Sequence, residues 1–131
     1  MIKEDYVSLE VAKLLKEKGF DVETEYCYLG DYHNLRTASL YPKSTVTFAP
    51  THQMALKWLR AKGIFVEIHH YNSTSIPFAW YVFAYNTLPP QNASTYEEAV
   101  DNAIKYILEN WDNINKTLVL YYKNDSKYPK I

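Results

Sequence analysis

The segment TYEEAVDNAIKYILENW, residues 95 to 111, constrains the fold more than any other stretch of this chain. Tyr96, Val100, Ala103, Ile104, Ile107, Leu108 and Trp111 recur at three- and four-residue spacing, which on a helix gathers them into one apolar stripe. Such a stripe needs a second layer to cover it. Thr95 with Glu98 three residues later reads as a capping box, in which hydroxyl and carboxylate satisfy orphan backbone donors at the helix start. Upstream, IFVEIHHY and FAWYVFAY are aromatic, β-branched runs, so the face of an antiparallel hairpin is the natural partner of the stripe.

The rest of the chain divides at its punctuation. Ser8 caps a first helix over about Leu9 to Lys18, with Val11, Ala12, Leu14 and Leu15 inward and Gly19 as the left-handed residue that ends it. Phe20 to Leu29 alternates as a strand near an edge, with Val22, Thr24, Tyr26 and Tyr28 on one face and Glu23, Glu25, Cys27 and Leu29 on the other. Gly30, Asp31 and Asn34 suggest a turn, and Thr37 to Tyr41 and Thr45 to Phe48 are short β-prone pieces separated by Pro42. Pro50 suits the first turn of a second helix, with Thr51 competing as its cap; Met54, Ala55, Trp58 and Leu59 gather on one side, His52, Gln53, Lys57 and Arg60 point elsewhere, and Gly63 closes it. In the hairpin, Ile64, Val66, Ile68 and His70 form the core face and Phe65, Glu67, His69 and Tyr71 the other. The loop NSTSIP turns the chain back, the returning strand is apolar on both faces and therefore central, and Pro89 and Pro90 end it. After Trp111 the β character of Thr117 to Tyr122 predicts a separate tail strand, although the spacing of Ile114 and Leu118 also allows the helix to continue. The last residues, NDSKYPKI, are expected to fray.

Composition narrows the function. A chain of 131 residues with 47% hydrophobic residues is expected to form one packed domain, with residues 112 to 131 as a C-terminal extension. Fourteen basic against fifteen acidic residues give a formal charge of −1, which disfavours a dedicated nucleic-acid binder. The thirteen tyrosines fit half-buried strands with their hydroxyls in water. A single cysteine, Cys27, and an opening MIKEDYVSLE without the apolar core of a secretory signal predict a reducing cytoplasm, so the glycosylation-type triplets at Asn72, Asn92, Asn115 and Asn124 carry no weight. No apolar run approaches the ~20 residues of a membrane span.

Individual residues suggest little chemistry. His33, His52, His69 and His70 invite a metal reading, but adjacent strand residues point to opposite faces, so His69 and His70 cannot share an ion, and no HxH or HExxH spacing occurs. Cys27 beside tyrosines reads as an inert side chain rather than a nucleophile. Glu23 and Glu25 fit a solvated strand face, and Glu97 and Glu98 fit helix capping. Lys57, Arg60 and Lys62 are cations late in a helix, as its dipole favours, and phosphate-binding glycine-rich loops are absent. No catalytic, cofactor-binding or metal-binding residue is therefore assigned, and the chain is not expected to be an enzyme.

At PTHQMALKWLR, residues 50 to 60, and TYEEAVDNAIKYILEN, residues 95 to 110, the chain resembles a set of short uncharacterised proteins of Bacteroidetes bacteria and their phages. The likeness spans most of residues 1 to 110, and the tail from Asp112 departs from it. It implies a helix and strand, a PTxQMAxKWLR helix, a hairpin and a closing YEEAVxxAxKYxLEN helix, and it transfers no role to Trp58, Lys57 or Glu98.

Together these readings predict an α+β domain, with helices on one face of a mainly antiparallel sheet, in the order α-β-(β)-α-β-β-α plus the tail strand. They favour a small non-enzymatic binding or accessory protein of phage or mobile-element type, with an unidentified protein as its partner. A nucleic-acid-binding module, loosely like the antitoxin HicB or double-stranded-RNA-binding domains, is the alternative. A further one is a homo-oligomer paired through the LVLYY strand of the tail.

Overall fold

The computed structural model describes residues 2–72, 76–85 and 91–123. Residues 73–75 of the NSTSIP loop, the strand end at Pro89 and Pro90 and the fraying of NDSKYPKI lie outside the described residues. The fold is α+β, and the described residues form four α-helices and two three-stranded antiparallel sheets in place of the single sheet expected. The chain gathers into two compact units, Met1–Ala55 and Leu56–Ile131.

In the first unit, α1 spans Leu9–Glu17, and the Val11 amide donates to the Ser8 hydroxyl at 3.3 Å, the cap the sequence announces. Gly19, at φ +95°, closes the helix: its amide donates to the Lys16 carbonyl and that of Phe20 to Leu15, a Schellman arrangement with Phe20 and Leu15 both buried. The sheet comprises β1 (Tyr26–Leu29), β2 (Arg36–Thr37) and β3 (Val46–Ala49) in the order β2-β1-β3, and α1 packs on β3.

Three expectations fail here. Strand β1 is central rather than near an edge, and it starts only at Tyr26. The Thr24 hydroxyl donates to the Tyr26 carbonyl, a local bond that competes with extended pairing, and Val22 and Glu23 stand exposed. Residues 38–40 form a 3-10 turn closed by the Tyr41 amide on the Ala38 carbonyl, so only Thr37 of the piece Thr37 to Tyr41 is strand.

Helix α2, His52–Arg60, begins after Thr51, whose hydroxyl accepts from the Met54 amide at 3.1 Å; Thr51 and not Pro50 sets the start. The Pro50 carbonyl accepts from the Val7 amide, and the His52 amide donates to the Asp5 carbonyl. The inward face is also corrected. His52, Ala55 and Leu59 are buried while Met54 is exposed, so the apolar stripe is rotated and includes the histidine. Gly63, at φ +79°, ends the turn after α2 as Gly19 ends α1, with the Ile64 amide on the Leu59 carbonyl.

In the second unit, β4 (Val66–His70), β5 (Phe78–Val82) and β6 (Gln91–Ala93) form a sheet in the order β4-β5-β6, so β5 is central as its apolar faces predict. β5 is shorter than the FAWYVFAY run. The Tyr85 amide returns to the Val82 carbonyl across Ala84, which sits in the left-handed region at φ +63°. Helix α3, Tyr96–Glu109, packs on this sheet and buries Ala99, Val100, Ala103, Ile104, Ile107 and Leu108. At about 1.5–3 kcal/mol for each fully buried large aliphatic side chain, the stripe is a leading stabiliser of this unit. Thr95 accepts from the Glu98 amide at 3.1 Å, but the Glu98 carboxylate accepts from the Ser94 hydroxyl, so the capping box is half formed.

The predicted tail strand is a helix, α4, Trp111–Tyr121. Asn110 breaks the run after α3, its side-chain amide donating to the Tyr106 carbonyl at 2.9 Å, and Ile114 and Leu118 then continue the stripe at 0% exposure. Burial at helical spacing outweighs the β propensity of LVLYY, and Thr117 fits the helix by donating to the Asn113 carbonyl. Pairing of copies through a tail strand therefore has no structural basis.

Candidate functional site

Register fixes which side chains meet on the second sheet. Glu67 lies opposite Tyr81, His69 opposite Ala79, Ile68 opposite Trp80 and His70 opposite Phe78, while on the far edge Asn92 faces Ala79. Val66, Ile68, His70, Phe78, Trp80 and Val82 thus share one face and Glu67, His69, Tyr71, Ala79, Tyr81 and Asn92 the other. Rings of α3 meet the first face: Tyr106 lies 5.2 Å from Trp80 and Tyr96 6.2 Å from Phe78. On the second face Ala79 is covered, yet the longer side chains around it stay partly in water, with His69 and Glu67 at 43% and 46% exposure.

These side chains bond to one another. The His69 ring stacks on Tyr81 at 4.8 Å and on Tyr71 at 6.3 Å, both within about 22° of parallel. The Tyr81 hydroxyl is hydrogen-bonded to His69 Nε2, and Glu67 Oε2 lies 3.7 Å from that nitrogen. Desolvation pushes the Tyr81 pKa up, reinforced by its hydrogen bond to Glu67 and by the charge of that carboxylate. Against Glu67, which only accepts, the phenol is the donor; against His69 Nε2 it donates or accepts according to the imidazole tautomer. The result is a linked group of imidazole, phenol and carboxylate on an open face.

The other residues singled out in the sequence disperse. His69 and His70 do face apart, His70 lying 5.0 Å from the Phe78 ring, while His52 is buried and His33 exposed. Cys27 is fully buried and burial pushes its thiol pKa up, which holds it protonated. Glu23 pairs with Lys43, Glu25 is exposed, and Glu97 and Glu98 occupy the exposed first turn of α3. Lys57 and Arg60 are exposed, whereas Lys62 stands 4.7 Å above the Trp58 ring, which stacks on Trp111 at 5.7 Å. A recess of about 220 Å³ in the first unit has Phe20 and Phe48 in its lining, but its two lysines are engaged, Lys16 on the Val46 carbonyl and Lys43 on Glu23.

The grouping of Glu67, His69 and Tyr81 escaped the sequence reading. The period-two spacing of Glu67, His69 and Tyr71 was legible, but only the hairpin register brings Tyr81 opposite Glu67. No helix among the described residues is long and apolar enough to cross a membrane. Comparison of the chain with protein-family models, curated proteins and solved structures finds no match.

Proposed function

We propose that this chain is a small binding or accessory protein of phage or mobile-element type, acting without catalysis, and that it contacts its partner through Glu67, His69, Tyr71 and Tyr81. The observation that carries this reading is the open face itself: four chemically diverse side chains, stacked and hydrogen-bonded, stand beside water instead of in a cleft. Stiff aromatic rings offer contact area at low entropic cost, and the flanking carboxylate and imidazole add directional bonds. The protonated states of the Cys27 thiol and the Tyr81 phenol support a non-catalytic role, because neither is poised as a nucleophile. The phage or mobile-element assignment draws its support from the motifs at residues 50 to 60 and 95 to 110.

Affinity capture from cells of the native host tests this reading. The intact chain should retain a defined partner that the Tyr71→Ala/His69→Ala double variant loses. Equal recovery by both, or a hydrolase, nuclease or transferase activity abolished by one point substitution, contradicts it.

One observation favours a second reading: a row of near-parallel rings on a sheet resembles the surfaces on which unpaired bases stack. Glu67 within the row and the net charge of −1 count against it. Micromolar, salt-dependent binding of single-stranded oligonucleotides, weakened by Tyr71→Ala, would establish it; absence of such binding at low salt removes it.

A further inference from the structure

We propose that Glu67, His69 and Tyr81 form a three-donor site for a divalent late transition-metal ion, with copper(II) held most tightly and zinc(II) next. Among the described residues no three His, Cys, Asp or Glu side chains converge in a way that would hold a metal ion; here a phenol supplies the third donor. Glu67 Oε2 and His69 Nε2 are 3.7 Å apart, and two atoms each ~2.1 Å from an ion at a tetrahedral angle lie about 3.4 Å apart. For this pair a tetrahedral ion needs a shift of a few tenths of an ångström and the square arrangement that copper favours about 0.7 Å, while the Tyr81 oxygen has to draw back from Nε2; half-exposed side chains allow both movements.

The Tyr81 oxygen already lies at hydrogen-bonding distance from Nε2, and all three donors rise from one face of a paired hairpin whose register is fixed by five cross-strand pairs. The face is open, which leaves the remaining coordination positions to water or to a partner's side chain. Imidazole, carboxylate and phenolate together are a nitrogen and oxygen set that suits copper and zinc, and the order of affinities among divalent ions puts copper first.

The proton balance is definite. On binding, the neutral imidazole keeps its one proton, carried at Nδ1 so that Nε2 is free as a ligand, and the Tyr81 hydroxyl proton leaves to solvent. One proton is released per ion, and the charges of carboxylate and phenolate offset that of the ion. The raised pKa of Tyr81 has the same origin, since desolvation and the neighbouring carboxylate oppose a second negative charge there until a cation arrives.

This inference concerns the face used by the proposed function but does not depend on it, because ion binding is measured without the protein partner. The experiment is equilibrium dialysis of the full chain, freed of metal with a chelator, against copper(II) and zinc(II) salts, with proton release and visible absorption recorded. One equivalent should bind, with one proton released and, for copper, a tyrosinate-to-metal charge-transfer band. His69→Gln and Glu67→Gln should each weaken binding by roughly tenfold or more, at least the loss expected from removing an orienting neighbour. Tyr81→Phe should abolish the band and the proton release while keeping weaker binding, and His70→Gln on the opposite face should change nothing. Unchanged affinity in His69→Gln and Glu67→Gln, both checked for native circular dichroism, overturns the site. So does an equal loss in His70→Gln, or a charge-transfer band that persists in Tyr81→Phe.

Discussion

In the first sheet the central strand carries Cys27 and Tyr28 on opposite faces at 0% and 5% exposure, and the Tyr28 hydroxyl donates to the Val7 carbonyl at 2.6 Å. In the second sheet the central strand is equally covered at Ala79 and Trp80, but the Tyr81 hydroxyl bonds to side chains, His69 and Glu67, that remain half in water. The Tyr28 hydroxyl of the first sheet is thus absorbed by buried backbone, whereas the Tyr81 hydroxyl of the second addresses half-exposed side chains. A hydroxyl satisfied by a buried carbonyl belongs to the fold. One shared among exposed titratable groups is available to something else, and that difference places the functional reading on the second sheet.

The comparison breaks most visibly if the helical side of the second sheet proves dispensable. Ile107→Ala and Leu118→Ala each remove a fully buried aliphatic side chain and should cost about 2–5 kcal/mol in chemical denaturation. Tyr71→Ala, on the exposed face of the same sheet, should cost about 0.5 kcal/mol or less. Similar losses from both faces would erase the distinction.

Backbone strain gives the next largest effect. Gly19→Ala should destabilise by about 1–2 kcal/mol, because φ +95° is unfavourable for a residue with a Cβ although the added carbon meets nothing within 4 Å. Ala84→Gly should do the reverse by roughly 0.5–1 kcal/mol, relieving φ +63° at the residue that turns the chain after β5.

The smallest effects sharpen the contrast between the two tyrosines. Tyr28→Phe should cost on the order of 1 kcal/mol, since the buried Val7 carbonyl loses its donor. Tyr81→Phe should leave thermal stability nearly unchanged near neutral pH, where its exposed neighbours turn to water.

Much of the fold was legible because local signals and burial agree. Ser8, Thr95, Gly19 and Gly63 mark helix ends whose hydrogen bonds are local, and the alternation along β4 reports which residues share a face, although His70, expected in the core, ends the strand exposed. Legibility fails where long-range packing decides. LVLYY carries strand propensity, yet Ile114 and Leu118 bury only if the chain coils. QNA has no strand signal and becomes β6 because it pairs along β5. His52 reads as a surface residue of α2 and is buried, since the first turn of that helix lies against Asp5 to Val7. The candidate site failed for the same reason: its members were visible singly, but their meeting depends on register across a turn.

The central claim is that Tyr81 is coupled to Glu67 and His69 on the outward face. It is tested most directly by titrating the Tyr81 ring, followed by NMR, in the wild type and in Glu67→Gln without metal. Desolvation and Glu67 both favour the neutral phenol in the folded state. Its contribution to stability is therefore full below the unfolded tyrosine pKa and disappears as pH rises through the elevated folded value. The account predicts titration above the ordinary tyrosine range in the wild type, moving down when Glu67 loses its charge. Titration at the ordinary value in both proteins would contradict it.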